Sequence, residues 1–291
     1  MVWRTRFLAV LATVLASLLS VSAQAQLLYA AIGATGATGN LFLVSATNGT
    51  TSPVGPLITS GGLPVAITGL AVNPRTGVLY GITANSSPNI SAHLVTISTI
   101  NGLVTDVGAM GTGGADIAFS GAGVLYMSSG NNGNLWTVNL TSGVATIVGA
   151  TGFGAVSGGG LAINSQGIAV MMPNGASGNV VALNLNNGTG TAGVALTGAP
   201  IPAGTINAAS YDSNNVLFAV NGTFAGGASN LVTINGTTGA VTSIGVLPAN
   251  VDALAFATPL SAVPTLSEWT MILMALLLAA TGFAAMRRNS R

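Results

Sequence analysis

The chain has no cysteine and no lysine, and only 4% of its 291 residues are charged. Without cysteine there are no disulfides, thiolate metal sites, redox pairs or thiol nucleophiles. A body of about 230 residues can bury enough apolar surface without such staples. Five of the six basic residues lie at the ends: Arg4, Arg6, Arg287, Arg288 and Arg291. Between the ends, Arg75 faces Asp106, Asp116, Asp212 and Asp252, a net charge of −3. No basic patch neutralises phosphates, which excludes nucleic acid as a partner. The surface must therefore be built from Thr, Ser, Asn and Gly, a composition that suits strands joined by tight turns.

Groups able to move protons are equally scarce. His93 is the one histidine, placed just before an expected third strand of a repeat. No Gly-x-Ser-x-Gly nucleophile elbow occurs, so a Ser-His-Asp triad has no anchor. Asp106 falls on an expected outer strand, and Asp212 in a turn where it can bond backbone N–H groups. Asp116 and Asp252 precede innermost strands near a channel mouth. They are the only weak candidates for a shared acid/base or cation site. In the gapless alignment Asp252 matches Ala115, one position off, so strand alternation would turn the two carboxylates to opposite faces. No cofactor is expected. The Gly-rich stretches carry no P-loop lysine, and the Gly33–Gly39 tripeptide period is far too short for a triple helix. Asn-Gly-Thr sequons at Asn48, Asn187, Asn221 and Asn235 coincide with expected turns.

Long apolar runs occur only at the two ends. Arg4 and Arg6 precede an apolar stretch from Phe7 to Val21, and Ala23-Gln24-Ala25 is a small-x-small cleavage signal. Residues 1–25 thus read as a secretory signal peptide. At the other end, residues 269–286 are apolar and rise ~27 Å as a helix, against a hydrocarbon core of ~30 Å. Arg287 and Arg288 follow as a basic stop that stays cytoplasmic. The body, 26–258, is then expected outside the cytoplasm, with 259–291 as a membrane-sorting tail.

The body repeats itself. Ala71, Ala118, Ala162, Ser210 and Ala255 hold one position in five similar segments, at spacings of 47, 44, 48 and 45. Each of the first four is followed by a second apolar run, a third, a Gly-containing turn such as Asn101-Gly102 or Ser142-Gly143, and in most units a clear fourth. Four short strands per ~45 residues is the pattern of a propeller blade. Residues 27–56 supply strands two to four without a first. Residues 251–256 supply a first without successors. The expectation is an all-β, five-bladed β-propeller whose C-terminal strand completes the N-terminal blade and removes the open seam. A β-sandwich would not explain the repeat. The units are also similar to propeller repeats of the broad Gly-Leu-Ala-Phe…Leu-Tyr type, which implies no single activity.

Val263-Pro264-Thr265-Leu266-Ser267-Glu268-Trp269-Thr270 resembles the motif of IPTL-CTERM proteins, Ile-Pro-Thr-Leu-x-x-Trp-Gly. Pro264, Thr265, Leu266 and Trp269 match. Val263 stands for Ile, and Thr270 for Gly. The resemblance implies recognition by an exosortase-type membrane enzyme of a Gram-negative bacterium. It also implies a precursor tethered at the inner membrane, then a body at the cell surface or outside, in a setting of exopolysaccharide production. The functional expectation is a non-catalytic surface or matrix protein with a binding or structural role in the envelope or exopolysaccharide matrix, its partner polysaccharide or an envelope protein. A secreted polysaccharide hydrolase or lyase is the alternative. Intact-mass measurement of the secreted form is expected to show a chain beginning at Gln26; a mass that retains residues 1–25 would overturn that cleavage.

Overall fold

The computed structural model describes residues 26–129, 132–154, 159–173, 178–198, 200, 206–223, 227–257 and 266–288. The expected signal peptide lies outside them, as do Val263, Pro264 and Thr265.

Five antiparallel sheets form around an axis. The first blade holds β5 (Ile67–Val72), β6 (Leu79–Thr83), β7 (His93–Ile97) and β8 (Leu103–Ala109). The second holds β9 (Asp116–Phe119), β10 (Leu125–Ser128), β11 (Asn134–Val138) and β12 (Ala145–Ala150). The third runs from β13 (Gly159–Ile163) through β14 (Ala169–Pro173) and β15 (Asn179–Leu183) to β16 (Gly190–Ala195). The fourth runs from β17 (Ile206–Tyr211) through β18 (Leu217–Gly222) and β19 (Ser229–Ile234) to β20 (Val241–Leu247). The fifth joins the two ends of the body: β21 (Val251–Phe256) pairs with β1 (Leu28–Ile32), which is followed by β2 (Asn40–Val44) and β3 (Thr51–Pro56). The five-bladed ring and its closure by the C-terminal strand are as expected. A short strand not foreseen, β4 (Ile58–Thr59), lies parallel to β8 and covers part of its edge.

The core is divided rather than central. Each of five apolar clusters fills one gap between neighbouring blades. Alternation along the inner strands sorts the side chains. Leu70 and Val72 pack towards the fifth blade, while Ala71 packs towards the second. Tyr29, Tyr80 and Tyr126, at equivalent second-strand positions, pack into three of these gaps, and Tyr80 meets Phe119 edge-on at 5.5 Å.

Every outer strand carries a bulge at the same place in its ladder. Bulges bend and blunt an exposed strand edge, which discourages pairing with another chain. The residue after the bulge is Gly55, Gly108, Gly149 or Gly245 in four blades and Ala195 in the third. Each of these meets the turn between the third and fourth strands of the next blade, at Gly102, Gly143, Gly188, Gly49 and Gly239 respectively. Backbone touches backbone at all five joints. A Cβ at Gly149, for example, would collide with the carbonyl oxygen of Asn187.

Residues Leu266–Arg288 form helix α1. Among the described residues no helix is long and apolar enough to cross a membrane. The crossing expected over 269–286 is therefore not reproduced. Thr281 and Gly282 interrupt the apolar run of α1. Of Leu266, Trp269 and Arg288 only the backbone is described. Ile272, Leu273, Met274, Leu276, Leu277 and Leu278 are all exposed, and such closely spaced positions cover every side of a helix. The Thr281 hydroxyl bonds back to the carbonyls of Leu277 and Leu278, at 3.0 Å each.

The rim joints generate a test. Gly149→Ala is expected to destabilise the ring by ~1–3 kcal/mol. Gly121→Ala, whose added Cβ meets nothing within 4 Å, should stay within ~0.5 kcal/mol of the parent. Urea unfolding of both variants decides it.

Candidate functional site: an axial funnel above a buried carboxylate

The inner strands β5, β9, β13, β17 and β21 line the axis with their unpaired edges. An inner edge presents N–H groups that must find acceptors once water is excluded. Register shows how close the strands come. Gly69, Asp116, Gly160, Ala208 and Ala253 occupy one level. A Cβ at Gly69 would lie 3.0 Å from the Cα of Asp116, and one at Gly160 would lie 2.8 Å from the backbone of Ala208. Four of the five positions are thus small. The fifth, Asp116, sends its side chain to the neighbouring inner strands.

Asp116 is fully buried. Its Oδ2 accepts the N–H of Leu161 at 2.9 Å and of Ala209 at 3.0 Å, and its Oδ1 accepts the N–H of Ile117 at 2.9 Å. One carboxylate so ties the inner strands of the second, third and fourth blades. The Asp116 N–H donates to Ser128 Oγ at 3.2 Å, and the Ser128 hydroxyl lies 3.4 Å from the Gly159 carbonyl in the next blade. Burial pushes the Asp116 carboxyl well above its ordinary range, against the pull of the three N–H donors, and the Asp252 charge adds to the rise.

Asp252 lies one register position off Asp116, as the alignment anticipates, but the anticipated opposite facing does not hold. Ala31 pairs with Ala253 and Ile32 with Val251, so Asp252 is the extra residue of a bulge. A bulge re-aims its side chain, and the two carboxylates influence one another electrostatically. Nor do both lie at an open mouth, because Asp116 is sealed inside the ring. Asp252 is partly reached by solvent, yet protein walls surround it closely enough that burial holds its carboxyl well above the ordinary range. Thr68 and Asn207 are bulge residues at the same level on adjacent inner strands. Their Thr68 Oγ1 and Asn207 Oδ1 atoms are buried without a hydrogen-bond partner. The sequence reading missed this polar layer, since a bulge leaves no mark in a gapless repeat. Among the described residues no three acidic or histidine side chains gather as a metal site.

Above the Asp116 level the axis widens into a funnel of ≈ 380 Å³. Leu70, Ile117 and Ala209, one residue beyond that level, line its deep part. Phe119 and Phe256 line its wall, with Asn164, Ser210, Tyr211 and Asp212 higher up. Asp212 sits in a turn, as expected. Its Oδ1 accepts the N–H groups of Asn214 at 2.9 Å and Val216 at 2.7 Å, and Asn214 Nδ2 approaches Oδ2 at 3.4 Å. Asn164 plays the same part in the third blade, accepting from Gln166 and Ile168. Burial raises the Tyr211 phenol above its ordinary value, so it stays protonated at neutral pH. Gln26 closes one side of the funnel: its Nε2 donates to the Ala257 carbonyl at 2.6 Å and its Oε1 accepts the Ser213 N–H at 2.7 Å.

His93 opens β7 rather than preceding it, and its Nδ1 lies 2.9 Å from Asp106 Oδ1 on β8. This pair sits on the half-exposed outer part of the first blade, away from the funnel. The sequence reading named both residues without pairing them. Cross-strand register, His93 opposite Ala109 with a bulge between, brings them together.

Comparison with known proteins bears on both halves of the chain. Residues 261–288 match the IPTL-CTERM motif. That signal implies an exported, cell-surface protein processed by an exosortase-type enzyme. No curated protein matches the chain. Among solved structures, the chain is similar to one in a nidogen/laminin complex, at 13% identity and a TM-score of 0.52, over 80% of this chain and 98% of that one. It is also similar to a protein of unknown function from Bacteroides thetaiotaomicron (14% identity, TM-score 0.45, 67% of this chain and 54% of that one). A third is hydrazine synthase of Kuenenia stuttgartiensis (14% identity, TM-score 0.40, 64% and 49%). At such identities the first likeness speaks to the fold alone.

The two buried carboxyls predict an unusual pH profile. Both have raised values in the fold, so between the ordinary 3.8 and those raised values the folded state holds protons that the unfolded chain has lost. Stability is then greatest in acid and falls as pH climbs from about 4 towards neutrality. Asp252→Asn is expected to flatten that fall and raise the thermal midpoint at neutral pH. Asp116→Ala should instead cost about 2 kcal/mol or more, because three buried N–H groups lose their acceptor. Thermal unfolding across pH for the three proteins checks both signs.

Proposed function

We propose that this is a non-catalytic surface or matrix protein whose propeller binds a neutral carbohydrate chain in the axial funnel, and whose tail delivers it to an exosortase-type enzyme. The observation that carries the reading is a funnel edged by Tyr211 and by uncharged hydrogen-bonding groups, joined to an IPTL-CTERM signal at residues 261–288. The half-buried ring of Tyr211 offers apolar surface to a sugar. The Tyr211 hydroxyl offers a directional polar group, and the Ser210 hydroxyl, which accepts the Phe256 N–H at 3.1 Å, can still donate, the usual division of labour in a small-ligand pocket. A neutral surface keeps such binding insensitive to salt.

The side-chain inventory supports binding over hydrolysis. Glycoside hydrolysis uses two carboxyl groups flanking the scissile bond. The funnel lining contains one, Asp212, and turn N–H groups occupy it. Asp116 lies below the deep end with both oxygens engaged. Before processing, the exposed apolar residues of α1 would be seated in the lipid of the inner membrane. Release or attachment at the surface would follow the cut.

The secreted form is expected to be retained on neutral polysaccharide in a glycan array, and to lose that retention with Tyr211→Ala while keeping its folded circular-dichroism spectrum. No retention of the parent protein on any glycan would overturn the binding role.

A further inference from the structure

Both membrane-directed ends of the chain leave the propeller at one place. Gln26 is hydrogen-bonded to Ala257, and the Ala257 N–H donates to the Leu27 carbonyl at 2.8 Å. The residues that bracket the ring therefore sit side by side, and Gln26 and Phe256 both line the funnel. Residues 1–25 precede this point, and the tail follows it. The inner strands end on this side, and the turns after them, which include Asn164 and Asp212, surround the same opening. The connections between second and third strands, such as residues 84–92, lie at the opposite end of the axis.

Eight residues, 258–265, separate the last described residue of the ring from the start of α1. Fully extended, the nine steps from residue 257 to residue 266 reach ~32 Å at most. A tether that short, fixed beside the funnel, cannot let the ring turn over freely.

We infer that the precursor is held with its funnel face towards the membrane surface, and that the opposite face is the one presented outwards until the tail is cut. This rests on the proposed seating of α1 in lipid. The orientation follows from where the two ends emerge. It makes cleavage a change of exposure as well as of location: the funnel opens to bulky polymers only when the eight-residue leash is severed.

The absence of cysteine from the chain makes the test direct. Ser213→Cys marks the funnel face and Ser86→Cys the opposite face; both replaced serines are exposed. Each tail-bearing variant is labelled with a fluorophore and reconstituted into vesicles of phosphatidylethanolamine with a minority of phosphatidylglycerol. Nitroxide quenchers are attached to the lipid headgroups. The label at 213 is expected to lose most of its emission while the label at 86 keeps its own, and removal of the tail should restore the first. Equal quenching of the two labels on chains that float with the vesicles would overturn the orientation alone. Chains that fail to float would overturn the lipid seating, and the orientation with it.

Discussion

Five strand edges converge on one axis, and each brings backbone N–H groups that cannot be left dry. Space at this point is too small for ordinary side chains, which is why Gly69, Gly160, Ala208 and Ala253 occupy the same level. The Asp116 carboxylate resolves both demands. It is compact enough to fit, and it accepts three N–H groups from three inner strands. The cost is that burial, with no counter-ion among the described residues, pushes the carboxyl's pKa well above its ordinary range. The same plug separates two environments, the funnel on one side and the Asp252 layer on the other.

Repetition made the architecture legible. Five small-apolar segments at near-even spacing announced the inner strands, and glycine turns announced the outer hairpins. The surplus of one first strand at the C-terminus announced how the ring closes. Asp212 was legible as a turn residue because its bonds are local, to N–H groups two and four positions on. The Asp116 contacts were not, because Leu161 and Ala209 lie 45 and 93 positions away. Nor could the facing of Asp252 be read, since a single bulged residue reverses the parity on which strand alternation depends. The His93–Asp106 pair escaped for the same reason, with a bulge lying between them in the ladder.

Glycine content has a definite cause at the rim. The post-bulge glycines and the hairpin-turn glycines form joints where two backbones touch, repeated around the ring. A chain read for nucleotide loops or collagen periods would assign these residues to chemistry. They serve contact between blades instead, and the polar uncharged surface follows from a body made almost wholly of strands and turns.

The fifth blade imposes an order of events on biogenesis. Its parts lie at opposite ends of the body, and Gln26 waits for a partner 231 positions downstream. During vectorial passage across a membrane the ring stays open, with an unpaired β1 edge, until Val251–Phe256 has emerged. The sorting motif follows only a few residues later. A processing enzyme waiting at the membrane therefore encounters its recognition sequence when the circle has only just become able to shut, so that completion of the fold and arrival of the address nearly coincide in time.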